Sequence, residues 1–209
     1  MVYTSTKASS NAYAISQIFM PLPKTSMSHP LRIDPVAADP ACGRIGMTFC
    51  PGKKQSDART GVWDRSLESD MEAIRAFGAA ALVTLMPDAE LQSLRVSSER
   101  IRDKASELGI EWYQLPIPDQ GIPDQDFETS WTDVEPHLLA LLRAGSNIVI
   151  HCKGGLGRTG TIAARLLIAF GADPNMAVQS VRNARPGAIE NSRQEQYVLA
   201  TLRKQTEGT

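Results

Sequence analysis

The chain has 209 residues, 42% of them apolar and 22% charged, enough for one domain with a full core and too few for two comfortable ones. Its formal net charge of −1 excludes a global electrostatic pull toward nucleic acid or anionic membrane. No apolar run approaches the roughly 20 residues of a membrane span.

Three cysteines (Cys42, Cys50, Cys152) lack the pairing of a zinc site and the density of a disulfide scaffold, and His29, His137 and His151 are too scattered to suggest a metal. Free thiols in a reducing, cytoplasmic setting are expected. Cys42 and Cys50 read as structural or incidental, the alternative being a protective disulfide with Cys152.

Residues 1–30 carry nine Ser or Thr, no acid and no clear apolar periodicity, and read as a poorly ordered N-terminal extension. A targeting peptide is the alternative, weakened by the absence of any Arg before Arg32. The domain proper is expected over 31–209. Its first strand reads as 44–49, ended by Pro51-Gly52 and a polar Lys53-Lys54 loop. Helical spacing follows over 66–77, with Ser66 or Ser69 as cap and Gly78 as stop. Ala80 to Leu85 is a continuous apolar run, as a central parallel strand requires. A short helix from Asp88 to Leu94, capped by Asp88, precedes a longer one over 97–108 and a strand over 110–117.

Residues 116–124, Pro-Ile-Pro-Asp-Gln-Gly-Ile-Pro-Asp, cannot be regular structure. Phe127, Trp131, Val134, Leu138, Leu141 and Leu142 mark one face of a helix stopped at Gly145. Ile148 to Ile150 then forms a short buried strand that ends at His151. A glycine-rich loop runs from Cys152 to Arg158, and Thr159 opens the next helix. Gly171 caps that helix, Asp173-Pro174 starts another through Ala184, and Ser192-Arg-Gln-Glu195 matches a capping box for a last one. Alternating strands and helices imply an α/β fold, with a mostly parallel central sheet of about four or five strands and helices on both faces.

The strand, glycine loop and helix N-terminus around residue 152 build an anion cradle from freed amides and the helix dipole. Cys152 stands at its floor, where the dipole and Arg158 favour a thiolate. The planar fork of Arg158 can grip two oxygens of a tetrahedral oxyanion. A thiolate beneath phosphate can attack in line, while the amides of 153–158 (Lys153, Gly154, Gly155, Leu156, Gly157 and Arg158) stabilise the equatorial oxygens. The Thr159 hydroxyl is expected to donate to the Cys152 sulfur. His151 is expected to orient the loop by hydrogen bonds without serving as a base.

His-Cys-Lys-Gly-Gly-Leu-Gly-Arg-Thr-Gly, residues 151–160, resembles the signature of the cysteine-dependent tyrosine and dual-specificity phosphatases at every fixed position. The resemblance implies the cysteine phosphatase fold, no cofactor and no metal, and a general acid on a separate loop. Pro118-Asp119-Gln-Gly121-Ile-Pro123 is similar to that loop apart from its tryptophan, whose place Ile117 or a neighbour takes. Asp119 is thereby the implied acid. Asp124 is its rival, although Asp124 and Asp126 also suit a helix cap.

Pro51-Gly52-Lys53, the segment 90–96 and 115–119 resemble the kinase-associated-phosphatase branch, a likeness covering about residues 35–205. That branch implies a phosphorylated protein substrate, with a protein kinase or its substrate as partner. Glu190 stands where many tyrosine phosphatases carry a water-positioning glutamine, and Gln194 follows it; either can support the second step. Lys153 follows the cysteine as in phosphoinositide phosphatases, but Leu156 replaces their second lysine, which favours phosphoprotein over polyanionic lipid. Lys53 and Lys54 are candidates for the rim. The expected function is a phosphotyrosine or dual-specificity phosphatase. The alternatives are a phosphoinositide or other non-protein phosphatase, and a phosphate-reading or kinase-binding module with vestigial catalysis.

Overall fold

The computed structural model describes residues 22–206. In chain order these form β1 (Asp34–Val36), β2 (Ile45–Phe49), β3 (Lys54–Gln55), β4 (Trp63–Asp64), α1 (Leu67–Ala76), β5 (Ala79–Thr84) and α2 (Asp88–Ser93). Then come α3 (Ser98–Glu107), β6 (Glu111–Gln114), α4 (Gln125–Arg143), β7 (Asn147–Cys152), α5 (Gly157–Ala169), α6 (Pro174–Ala184) and α7 (Ser192–Thr206).

Five strands make the central sheet in the order β1-β2-β7-β5-β6, all parallel except the antiparallel edge pair β1–β2. The apolar runs of β5 and β7 are buried apart from the half-buried Ala80, as strands covered on both faces must be. Helices cover both faces: α1 and α3 pack together beside β5 and β6, and α4 to α7 form the second layer. Helix α5 is buried nearly all round, which explains its run of Ile162, Ala163, Ala164, Leu166, Leu167 and Ile168.

The helix signals hold in detail for α1, where Ser66 accepts from the Ser69 N–H, and for α3, where Ser97 caps. Three boundaries differ. Asp88 is the first helical residue of α2, and Pro87 ahead of it supplies no side-chain cap. Helix α5 begins at Gly157, not Thr159, because glycine accommodates the tight entry from the loop. The α7 cap is Asn191, whose Oδ1 accepts from the Gln194 N–H at 3.0 Å, so the Ser192 capping box does not form. Strand β1 and the β3–β4 hairpin, two or three residues per strand, are too short for any periodicity to announce.

Residues 22–30, expected as part of a loose extension, are instead anchored. Lys24 forms a β-bridge with Trp63, and Arg65 donates to the His29 carbonyl at 2.6 Å. The same guanidinium pairs with Asp70 at 2.7 Å, both side chains fully buried, and Asp70 also accepts from Ser26 at 2.8 Å. A buried ion pair survives where every remaining donor finds an acceptor, and the 22–30 segment supplies those acceptors. The rest of the expected extension, 1–21, lies outside the described residues.

Candidate active site

Strand β7 delivers Cys152 to the carboxyl end of the sheet, where its side chain is nearly closed off from solvent at 3% exposure. Gly155 turns the loop with φ +70°, and its N–H donates to the Cys152 sulfur at 3.2 Å. A β-carbon on Gly155 would collide with the Thr48 carbonyl, so the loop closes over the end of β2 only with glycine there.

One expected contact is not made. The Thr159 hydroxyl is buried without a partner and does not reach the Cys152 sulfur. The earlier start of α5 puts this residue inside the first turn, and the sulfur takes its hydrogen bond from Gly155 instead. His151, fully buried, does not bond the loop through Nε2. That nitrogen meets the Thr84 hydroxyl of β5 at 2.8 Å, and Trp112 donates to the same oxygen at 2.9 Å. Burial, opposed by a main-chain hydrogen bond at Cys152 and aided by the Arg158 charge, pushes the imidazole down to about 3, so it is neutral at physiological pH and is no proton carrier there.

Arg158 is 2% exposed and held in a fixed fork. Its two terminal nitrogens reach Glu90 at 2.6 and 2.8 Å, a bidentate pair across 68 residues of sequence. Nη1 also donates to the carbonyl of Ile117 at 3.0 Å, and Nη2 to Asp119 at 2.9 Å. Burial works against the charge, and Glu90, Cys152 and Asp119 together more than offset it, so the guanidinium sits above even its ordinary range. Among the described residues none of these bonds uses Nε, which stays available for an oxyanion.

Asp119 occupies the second position of a tight turn in which the Gly121 N–H donates to the Pro118 carbonyl at 2.8 Å. Gln120 follows with φ +56°, a left-handed backbone at a non-glycine residue. The structure separates the two rival acids. Asp119 faces Arg158, whereas Asp124 accepts from the Phe127 N–H at 2.9 Å and caps α4.

Behind the cradle, Glu190 accepts from the Gly157 N–H at 2.7 Å, an amide at the N-terminus of α5. Gln194 is fully buried; its side-chain oxygen accepts from the Glu190 N–H and its amide donates to the Gly121 carbonyl, each at 3.1 Å. Lys153 is half-buried and Gly154 exposed, and Arg185 donates to the Gly154 carbonyl at 3.2 Å while pairing with Asp34 at 2.5 Å. The rim lysines differ from one another. Lys54 is partly exposed and paired with Asp64. Lys53 is 6% exposed, its ammonium stacked over Phe49 at 4.6 Å and Trp63 at 4.2 Å, and burial pulls it down to about 8. Cys50 and Cys152 are both free and buried, and burial pushes the Cys50 thiol far above its usual range. Glu90, Asn191, Thr84 and Arg185 are the members of this constellation to which sequence reasoning assigned no role.

Residues 61–198 match the family model described as "Swiss Army Knife protein, DSP-PTPase phosphatase domain". The chain is 32% identical over 157 residues to cyclin-dependent kinase inhibitor 3 of Rattus norvegicus, covering 74% of this chain and 69% of that protein. Among solved structures, kinase associated phosphatase with its catalytic-site cysteine changed to serine aligns with a TM-score of 0.72 and 26% identity, over 86% of this chain and 98% of that one. The active form of Tk-PTP aligns with a TM-score of 0.59 and 26% identity, over 84% and 98%.

Proposed function

This chain belongs to the DSP-PTPase phosphatase family, and on that premise we propose that it hydrolyses phosphotyrosine, with dual specificity extending to phosphothreonine or phosphoserine, in protein substrates. The observation that carries the reading is the convergence of Asp119 and Glu90, from segments 39 and 68 residues away, on the Arg158 of the same loop that holds Cys152.

In the first step the Cys152 thiolate attacks phosphorus, an S–P bond forms, and the P–O bond to the leaving oxygen breaks. Asp119 gives its proton to that oxygen. In the second step water attacks phosphorus, Asp119 takes its proton, and the S–P bond breaks to release phosphate and restore the thiolate. Arg158 and the amides of 153–158 hold the equatorial oxygens throughout. Glu190 and Gln194 border the loop on the side where that water would be held. A bound phosphate would compete with the Asp119 carboxylate for the Arg158 guanidinium, and its displacement would free that carboxylate for proton transfer. The Gly155 N–H, which donates to the Cys152 sulfur, is placed to stabilise the departing thiolate.

The partner class is a protein kinase or a kinase's phosphorylated substrate, supported by the similarity to cyclin-dependent kinase inhibitor 3 and kinase associated phosphatase. Leu156, in place of a second cation beside Lys153, supports a phosphoprotein over an inositol lipid. Hydrolysis of an aryl phosphate by the purified chain should vanish in Cys152→Ser while orthophosphate still binds; turnover that survives this change refutes the mechanism. Comparing phosphopeptides with phosphoinositides separates the two substrate classes.

A further inference from the structure

The acid loop is tied down from its far side by residues that lie beyond the signature. Asn191 donates through Nδ2 to the Gln120 carbonyl at 3.1 Å, and Gln194 donates through Nε2 to the Gly121 carbonyl at 3.1 Å. These two carbonyls immediately follow Asp119, and the first belongs to the left-handed Gln120, a conformation that must be held by its surroundings.

The segment bearing Asn191 and Gln194 is itself fixed to the cradle. The Ile189 N–H donates to the Leu156 carbonyl at 3.4 Å, and Glu190 accepts from Gly157 at 2.7 Å. Ile189 has φ +56°, a marked outlier for a β-branched residue. Gly160 lets this segment approach α5, since a β-carbon there would stand 2.9 Å from the Ile189 nitrogen. Residues 189–194 therefore form a strut with one end on the phosphate cradle and the other on the acid loop, and each end is secured at a strained residue.

We propose that Asn191 and Gln194 are positioning residues that latch the acid loop in place beside the cradle, so that Asp119 is held within reach of the leaving oxygen. Their donors take main-chain carbonyls, so the latch sets the loop's position and not its side-chain chemistry. Asn191 does double duty, since its Oδ1 caps α7 while its Nδ2 holds the loop. The proposal rests on the assignment of Asp119 as the acid.

Asn191→Ser keeps a capping oxygen but is too short to reach Gln120, and Gln194→Met removes the second donor at similar volume. Amide exchange in 117–124 should accelerate about tenfold in each variant, the value of one net hydrogen bond, with 152–158 unchanged. In the same proteins kcat/KM for aryl phosphates should fall more steeply as the leaving group becomes more basic, with inhibition by orthophosphate unaltered. Unchanged exchange in the acid loop would overturn the latch. Accelerated exchange with an equal loss of kcat/KM for every leaving group would overturn the positioning role. Asp119→Ala is the control for the underlying reading. If it leaves the leaving-group dependence as in the native chain, Asp119 is not the acid and the role given to the latch falls with it.

Discussion

Glu90→Gln is the sharpest probe of how Arg158 is aimed. The substitution keeps the shape of the side chain and one accepting oxygen, but it turns an NH2 group toward a guanidinium that offers only donors. Each of the two bonds lost or inverted, 2.6 and 2.8 Å long, is charge-assisted and worth about 1.5–3 kcal/mol. Breaking a buried pair costs about 3–5 kcal/mol in general. The lower end applies here, because the Glu90 side chain is 12% exposed and Asp119 remains on the same guanidinium. We expect a loss of about 2–3 kcal/mol, or about 5–10 °C in melting temperature for a chain of this size.

Catalysis feels two opposed effects of the same change. Removing a carboxylate about 7 Å from a bound phosphate relieves about 2 kcal/mol of repulsion at an effective dielectric of about 20. Loss of the fork misplaces a group that must meet the transition state, which costs about 100-fold for displacements near 1 Å. Orthophosphate should therefore bind as well as before or better, while kcat/KM for an aryl phosphate falls about 10- to 100-fold. Urea unfolding, phosphate inhibition and aryl phosphate kinetics measure the three quantities. A variant with native stability and kcat/KM within about twofold would show that Glu90 does not aim Arg158.

Asp119→Ala should lower turnover by about 10²- to 10⁴-fold with little change in stability. Asp124→Ala should cost about 1 kcal/mol through the lost α4 cap with turnover nearly intact; the reverse pattern would exchange the two roles. Gly155→Ala should cost more than about 3 kcal/mol or prevent folding, given φ +70° and the Thr48 carbonyl. Gly109→Ala, with φ +68° but open space around it, should cost only about 1–2 kcal/mol, and equal losses in chemical denaturation would refute the role of close approach. His151 titrates near 3 when folded and near 6.5 when unfolded, so below 6.5 the unfolded chain binds a proton that the folded chain refuses. Stability present above 6.5 is then lost toward pH 3 at about 1.4 kcal/mol per pH unit, and His151→Gln should unfold with a shallower acid dependence.

The chemistry was legible where it is local in sequence. Cys152, Gly155, Arg158 and Asp119 announce themselves within two short stretches, because a phosphate cradle and a proline-bounded turn are built from adjacent residues. Glu90 and Asn191 were not legible as site residues, since their partners lie 68 and 71 positions away. Glu90 lies in the first turn of α2 with nothing in its local sequence to set it apart, and the capping box at Ser192 draws attention from Asn191. Tertiary contact alone separates Asn191 from Ser192. The Thr159 contact failed for a related reason: the helix start depends on where the glycines let the loop close, and a shift of two residues redirects a side chain. The buried Arg65–Asp70 pair was hidden in the same way, with its remaining acceptors contributed by residues 25 and 29.

The sheet order has a practical bearing on how this domain is cut out of its chain. The recognisable family match begins at residue 61, after β1 and β2. A fragment trimmed to that boundary would remove the neighbour of β7 and the Asp34 carboxylate that holds Arg185 against the Gly154 carbonyl. Strand β7 would become a bare edge carrying Ile148, Val149 and Ile150, a ready template for pairing with another chain. Self-association in place of folding is the expected fate of such a fragment. The stretch that the family model matches is thus shorter than the chain needed to complete the five-stranded sheet.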